Sequence, residues 1–576
     1  MKRLIEVSQQ KQKADFILRN AQVADLLNLD WVKADVVVAN GQIIAIDETG
    51  TFEAKTEEDA NGRYVIPGMI DAHIHIESSM LTPEQFSEIL LPHGVTAVVT
   101  DPHEIANVAG TVGLQYMLDA AKHAKMDIYF MLPSSVPCTS FENAGAKLTA
   151  ADLQPFTDEE QVLGIAEVMD FPAVLNGDDE MLAKIQLGID HNMIVDGHGA
   201  GLSAGQLLGY RAANIHTDHE CVSAEEARER VKQGMYVLIR EGSAAKNLKA
   251  ILPAVTERNA RRFAFCTDDK HLDEIMEEGT INNAAAMAMK EGLDPLLAVQ
   301  IATLNAAECY RLHDRGLLAP GFKADFVLLD SVQSMKPVAV WKNGEKVVAN
   351  GAMLNPSSVR AEVPARILKS VNLSDDMTAA DLALPMSQAR ANIIEVIPNQ
   401  IVTKKLVAEV DVEDGYFVPS IEKDFLKIAV VERHHGKLTK GIAIVHGLGL
   451  QKGAVATTVA HDSHNAIVVG TNDADMLVAL DALQSMQGGL VVVADGQVIS
   501  ALALPVGGIM TTANADEAAA ELAKVHEALH IIHPTCDFHL FLTLSFLSLP
   551  VIPTLKLTDT GLFDVETFSH IPVEAE

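Results

Sequence analysis

The chain has 576 residues, of which 48% are hydrophobic and 21% charged, a composition typical of a globular protein with two or three domains. Its formal net charge of −34 at pH 7 would repel nucleic-acid phosphates and anionic membranes, which argues against both as partners. The five cysteines form no CxxC pair, as is typical of reduced cytosolic thiols, and no apolar secretory signal follows the basic N-terminus. The sequence therefore predicts a cytoplasmic globular protein.

Two sets of strands rich in β-branched residues flank the middle of the chain. Each set contains an Asn-Gly pair, beginning at Asn40 and at Asn343, which is a strong signal for a type I′ hairpin turn. We expect residues 1–66 and 316–365 to form one composite β-sandwich domain, although two unrelated hairpins would give the same pattern.

Residues 67–315 alternate apolar strands with amphipathic helices, a pattern that predicts a parallel β/α architecture. Eight predicted strands end near Ile74, Thr100, Leu132, Ala166, Asp196, Thr217, Ile239 and Thr267. Eight such repeats in about 250 residues match the usual size of a closed barrel. Residues 366–576 instead carry β-rich runs separated by glycine turns. The predicted fold class is therefore α/β: a (β/α)8 TIM-type barrel with a composite flanking β-sandwich and a C-terminal α+β domain.

The first predicted barrel strand ends in a pair of histidines, His73 and His75. Residues two apart on a strand point to the same face, so both imidazoles can bind one cation at the C-terminal end of the barrel. This spacing alone is a weak signal.

Four more ligand-type side chains follow the ends of other predicted strands. They are Glu167 after the fourth strand, His198 after the fifth, His219 after the sixth and Asp268 after the eighth. Catalytic residues of such barrels come from these strand ends, so together the six side chains predict a metal centre.

Several stretches that contain these residues resemble a known family. They are PGMIDAHIHIESSM, VTDPHEIANV, GHGAGL, HTDHE, CTDD and PVGGIM. The order of ligands resembles that of the amidohydrolase superfamily, and the stretches are similar to those of the bacterial adenine deaminase family over essentially the whole chain.

The resemblance implies a pair of divalent cations, with Mn²⁺ or Fe²⁺ favoured and Zn²⁺ possible, since mixed His and carboxylate ligands accept all three. We expect His73, His75 and Asp268 to bind one cation, His198 and His219 to bind the other, and Glu167 to bridge them. A mononuclear site that uses a subset of these residues stays open.

The resemblance also implies hydrolysis of adenine to hypoxanthine and ammonia, in which hydroxide attacks C6 and Asp268 passes its proton to the departing amine. The ring must gain a proton or hydrogen bond at N1. Asp101, His103 and Glu104 follow the second strand, and we expect Glu104 to transfer that proton while His103 orients the ring or the hydroxide. The same segment could simply cap the next helix.

Other residues are weaker candidates. Glu77 is a second candidate for proton transfer, and Ser135 lies in a segment that could line the purine pocket. The C-terminal histidines, including His461 and His464, could form a lid or an extra metal site, but we expect surface and packing roles in a domain that supports a homo-oligomer, a dimer or larger.

Two alternatives remain. One is another amidohydrolase, acting on an N6-substituted purine or a cyclic amide. Many binuclear members of that group use a carboxylated lysine after the fourth strand, where this chain has Glu167. The other alternative is a non-catalytic scaffold, although such proteins usually lose ligands and all six are present here.

Overall fold

The computed structural model describes residues 1–398 and 400–576. A short helix, Lys2–Ser8, precedes the first five strands, which are β1 (Ala14–Asp25), β2 (Asp30–Ala39), β3 (Gln42–Asp47), β4 (Ala54–Asp59) and β5 (Tyr64–Pro67). Between β2 and β3, Asn40 and Gly41 have φ angles of 51° and 74°, as the predicted type I′ turn requires.

The next eight strands form the barrel. They are β6 (Met69–Ile74), β7 (Val95–Thr100), β8 (Asp127–Leu132), β9 (Val162–Val168), β10 (Ile194–Gly197), β11 (Thr217–Asp218), β12 (Tyr236–Arg240) and β13 (Phe263–Cys266). Parallel pairing joins β6 through β10 and β11 through β13. Every residue of β7 is buried, as expected for a strand covered on both faces.

Backbone hydrogen bonds connect these two groups of strands into a ring. The His216 N–H donates to the Val195 carbonyl at 2.8 Å, which links the regions of β10 and β11. On the other side, the Asp268 N–H donates to the His73 carbonyl at 2.9 Å, and the His75 N–H donates to the Asp268 carbonyl at 3.3 Å. The closure of the barrel therefore places Asp268 beside the His73/His75 pair.

Helices connect the barrel strands and follow the last one. They are Pro83–Leu90, His103–Ala109, Thr111–Ala121, Ala150–Leu153, Phe171–Asn176, Asp179–Asp190, Ala204–Ala212, Ala224–Lys232, Leu248–Ile251, Leu272–Glu278, Ile281–Lys290, Pro295–Ala302 and Leu304–Cys309.

After the barrel the chain returns to the sheet of the first five strands. It adds β14 (Phe326–Leu329), β15 (Pro337–Lys342), β16 (Glu345–Ala349) and β17 (Ala352–Met353). β14 pairs antiparallel with β5, so both flanks of the chain share one nine-stranded sheet. The rings of Phe16 and Phe326 stack on Trp341 in a common core, and the alternative of two unrelated hairpins is wrong. The domain boundaries at residues 66, 315 and 365 stay predictions.

The C-terminal part contains an eight-stranded sheet with its own helices. Its strands are β18 (Arg390–Val396), β19 (Thr403–Glu409), β22 (Leu426–Val431), β23 (Lys440–His446), β24 (Ala454–Thr457), β25 (Ala466–Gly470), β26 (Gly489–Ala494) and β27 (Gln497–Ala503). Shorter strands are β20 (Val412–Glu413), β21 (Tyr416–Phe417), β28 (Leu555–Thr558), β29 (Gly561–Asp564) and β30 (Ser569–His570). The helices are Ala365–Leu368, Asp473–Met486, Ala515–Ile532 and Leu540–Ser545. The predicted fold class is confirmed.

The C-terminal part packs against the mouth of the barrel. Met169, just beyond β9, lies in one buried apolar cluster with Phe546, Leu549 and Ile552 from the C-terminal part. The Thr511 N–H also donates to the Met80 carbonyl at 2.8 Å. Within the described ranges, no helix is both long and apolar enough to cross a membrane.

Candidate active site

The six predicted metal ligands converge at the C-terminal mouth of the barrel, around the carboxylate of Glu167. His75 Nε2 lies 3.3 Å from Glu167 Oε1 and 3.0 Å from Asp268 Oδ1. His73 Nε2 lies 3.6 Å and 3.5 Å from the same two oxygens. The other Glu167 oxygen, Oε2, is 2.6 Å from His198 Nδ1 and 3.1 Å from His219 Nε2. The Glu167 carboxylate thus lies between two groups of ligands.

The donor atoms of this cluster suit divalent cations. His73 Nε2 and both ring nitrogens of His219 are buried, and none has a well-aligned hydrogen-bond partner among the described residues. Burial and the neighbouring His219 lower the pKa of His73 to about 4, which keeps its imidazole neutral as a metal ligand must be. His75 Nδ1 lies 3.0 Å from the Asp101 carbonyl oxygen, so in the neutral ring Nδ1 carries the proton and Nε2 keeps the lone pair that can bind a cation.

A buried arginine that the sequence analysis missed contacts this cluster. Arg240 Nη1 donates to Asp268 Oδ2 at 2.8 Å and also contacts the Glu220 carboxylate. Burial alone would raise the pKa of Asp268, but the neighbouring His73, His75 and Arg240 hold it well below its usual range. Arg240 is the last residue of β12, one residue beyond the predicted strand end at Ile239. Its place at the end of a barrel strand is the feature of the sequence that could have indicated a position at the barrel mouth.

The segment after the second barrel strand reaches the same cavity. His103 Nδ1 lies 3.1 Å from Asp101 Oδ2, and the His103 N–H donates to Asp101 Oδ1 at 3.0 Å. These contacts orient the His103 ring, whose Nε2 lies 3.4 Å from Glu104 Oε1. His103 also begins a helix, as the alternative of a helix cap expected. The catalytic roles of His103 and Glu104 stay predictions.

The C-terminal part contributes three further residues, which are His461, Asp462 and His464. His461 Nδ1 lies 2.5 Å from Glu104 Oε1, and His464 Nε2 contacts Glu104 Oε2. Asp462 Oδ1 lies 3.6 Å from His103 Nε2. All three are buried, so the expectation that they lie at the surface is wrong, because the C-terminal part covers the barrel mouth.

Glu77 and Ser135, the two weaker candidates, are buried outside the set of residues that lines the cavity. Glu77 is buried, accepts the Ile105 N–H at 3.2 Å and has a pKa raised to about 7 by burial. The Ser135 hydroxyl lies 3.0 Å from that of Ser134. Neither Glu77 nor Ser135 is among the described residues that line the cavity. Their roles in substrate binding stay predictions.

The cavity itself has a polar floor and an apolar wall. The floor includes His75, Glu167, His198 and Asp268, with His103, Glu104 and His461 at one side. The wall consists of Met169, Ile401, Phe546, Leu549 and Ile552. Such a site can hold a flat apolar ring against a wall while charged groups act on one edge of it.

The chain is similar to known proteins over almost its whole length. Residues 64–351 match the amidohydrolase family, and residues 400–569 match the adenine deaminase C-terminal domain. An adenine deaminase of Lysinibacillus sphaericus is 63% identical over 569 residues, which cover 99% of this chain and 98% of that protein.

Further relatives agree. The adenine deaminases of Geobacillus kaustophilus and Bacillus subtilis are 49% and 44% identical, each over 572 residues and 99% of this chain. The matches cover 98% of the Geobacillus protein, so they include both the barrel and the C-terminal part. The chain belongs to the adenine deaminase family, within the amidohydrolases.

Proposed function

We propose that this protein hydrolyses adenine to hypoxanthine and ammonia. The observation that carries the proposal is the convergence of the six ligand-type side chains around Glu167, beneath an apolar wall and beside Glu104. The whole-chain similarity to adenine deaminases supports adenine as the substrate.

We infer that the cluster holds two divalent cations, with Mn²⁺ or Fe²⁺ favoured and Zn²⁺ possible. His73, His75 and Asp268 would bind one cation, and His198 and His219 the other, with Glu167 between them. When bound, such cations supply Lewis-acid chemistry that ionises water at neutral pH.

The side chains around the cations have distinct proposed roles. As hydroxide adds to C6, Asp268 takes its proton and delivers it to the departing amine. Asp268 is suited to this role because Arg240 keeps it ionised and fixes one of its oxygens. Glu104 transfers a proton to N1 of adenine, and the contact with Asp101 orients His103 toward the reacting edge of the purine. The apolar wall would bind the purine face.

The test is turnover by protein reconstituted with Mn²⁺, supplied with adenine, adenosine and 6-substituted purines, with ammonia release as the measurement. We expect ammonia and equimolar hypoxanthine from adenine, and none from metal-free protein. Turnover of another compound without any turnover of adenine would contradict the proposed substrate. We further propose that the protein is a cytoplasmic homo-oligomer, and sedimentation of the same preparation tests its oligomeric state.

A further inference from the structure

The loop of residues 458–465, between β24 and β25, enters the mouth of the barrel from the C-terminal part. Its position is fixed by backbone contacts, since the His461 N–H donates to the Ser545 carbonyl at 3.0 Å. The Ser548 hydroxyl donates to the His461 carbonyl at 3.1 Å. From this loop, His461 and His464 contact the two carboxylate oxygens of Glu104.

The hydrogen bonds of His464 assign its proton. Its Nδ1 accepts the Ala460 N–H at 3.1 Å, so in the neutral ring the proton lies on Nε2, which faces Glu104 Oε2. Burial lowers the pKa of His464, which favours this neutral form. Glu104, His461 and His464 lie close enough together to hold a cation. A His464 Nε2 that carries a proton has no lone pair to offer one, so the contacts favour hydrogen bonding to Glu104 over metal binding.

His461 has a different environment, because both of its ring nitrogens face carboxylates. Nδ1 lies 2.5 Å from Glu104 Oε1, and Nε2 lies 3.9 Å from Asp269 Oδ1. The Phe546 ring stacks on one face, with the ring centroids 4.5 Å apart. Although burial alone would lower it, Glu104 and Asp269 raise the pKa of His461 to about 9. The other titratable groups that face or neighbour it are Asp462, His464, His103 and His271.

The same contacts determine the charge on Glu104. Burial alone would raise its pKa, but His461, His464 and His103 hold it well below its usual range. In the resting site, Glu104 is therefore a carboxylate and carries no proton to give to the substrate. A residue next to it must supply that proton.

We propose that His464 holds the Glu104 carboxylate in place and that His461 stores the proton which Glu104 passes to N1 of adenine. This inference rests on the proposed function. Both histidines act through Glu104 and are positioning residues, supplied to the barrel by the C-terminal part.

As the oxygen of hydroxide bonds to C6, the electron pair of the N1–C6 double bond moves to N1. The proton of His461 Nδ1 passes to Glu104 and from Glu104 to N1, which leaves Glu104 a carboxylate again and His461 neutral. The hydroxide proton passes through Asp268 to the exocyclic nitrogen, and the C6–N bond breaks to release ammonia. The proton lost when water became hydroxide returns to His461, so water supplies both transferred protons.

Two substitutions distinguish the proposed storage of a proton by His461 from the proposed positioning of Glu104 by His464. His461→Asn places an amide N–H where Nδ1 was, so it keeps the hydrogen bond but cannot hold a mobile proton. We expect about 100-fold lower kcat at pH 7, a typical size for lost acid–base catalysis, with KM within threefold of wild type. His464→Gln keeps an N–H at the position of Nε2, and we expect at most tenfold lower kcat.

The pH profile distinguishes the proposed role from a purely structural one. Wild-type kcat should fall above about pH 9, because His461 then loses its proton. The His461→Asn variant should lack that fall, while His464→Gln should keep it. His461→Gln also has no titrating proton and should repeat the result if His461→Asn does not fold.

A matched control comes from the same part of the molecule. His435 is exposed and lies outside the cavity, with its Nδ1 2.9 Å from Oε1 of the buried Glu432. His435→Asn should therefore leave kcat and its pH profile unchanged. The inference would be overturned if His461→Asn had the same kcat as the wild type and the same fall in kcat at alkaline pH. A loss of one bound cation per chain in both loop variants would also overturn it, because that loss would identify a cation site instead. Failure of the wild type to deaminate adenine would overturn the proposed function rather than this inference.

Discussion

Asp268 has an unusual backbone conformation, and its side chain contacts both histidines of the first barrel strand and Arg240. Its φ of 59° lies in the left-handed region, where a non-glycine residue is uncommon and carries a conformational cost of about 1 kcal/mol. The backbone hydrogen bonds that close the barrel hold this conformation. The side chain consequently faces His73 and His75 with one oxygen and Arg240 with the other.

Asp268→Asn tests the proton-transfer role. An amide has nearly the same shape as the carboxylate but cannot accept the hydroxide proton, so we expect kcat to fall about 1,000-fold. The measurement is ammonia release, with bound metal and circular dichroism as checks on the site and the fold. Near-normal turnover with a full complement of metal would remove Asp268 from this role.

At the level of elements, the barrel and the cluster of ligand-type residues at its mouth were predictable from local patterns. Apolar runs marked the eight strands, and ligand-type residues at the strand ends marked the cluster, because parallel strands end at one mouth. Arg240 was missed because arginine is not a metal ligand, and only the contacts of its side chain reveal its partners.

His461 and His464 could not be placed from the sequence. They lie on a loop whose neighbours in the chain carry no barrel pattern, and their contact with Glu104 joins residues more than 350 positions apart. Their spacing of three residues was visible, but such a spacing predicts no partner. The packing of the C-terminal part on the barrel determines that contact.

β28 carries a buried lysine that supports the apolar wall of the cavity. Lys556 Nζ donates to the Ile401 carbonyl at 2.7 Å and to the Phe546 carbonyl at 2.8 Å. Both of those residues line the cavity. Burial lowers the pKa of Lys556 to about 7, because the ammonium is removed from water.

This lysine makes the folded state sensitive to pH. The unfolded chain keeps the lysine proton up to its ordinary pKa near 10.5, whereas the folded chain releases it near 7. Between these values the unfolded state binds more protons, so the free energy of unfolding rises with pH. We expect the wild type to gain stability relative to Lys556→Met between pH 7 and pH 9.5, measured by urea unfolding. A difference in the free energy of unfolding between wild type and Lys556→Met that stays constant with pH would contradict the lowered pKa of Lys556. Lys232 is exposed, so Lys232→Met is the matched control.

At the scale of the whole molecule, the cavity is a joint product of the barrel and the C-terminal part. The barrel supplies the ligand cluster, and the C-terminal part supplies His461 and most of the apolar wall. Cations bound to the cluster would interact with the folded chain only, since the ligands come from five different strand ends that separate on unfolding.

Removal of metal should therefore destabilise the whole molecule. A ligand present at about 1,000 times its dissociation constant stabilises the folded state by about 4 kcal/mol, so chelation should lower Tm and added Mn²⁺ should restore it. The double variant His73→Ala/His75→Ala lacks two ligands of one proposed cation, and we expect a clearly smaller response of its Tm to the chelator. Because the C-terminal part packs over the cluster, the shift should appear in the transition of that part as well as in that of the barrel. An unchanged Tm after complete loss of bound metal, shown by elemental analysis, would mean that the cluster does not bind cations in the folded state more tightly than the unfolded chain does.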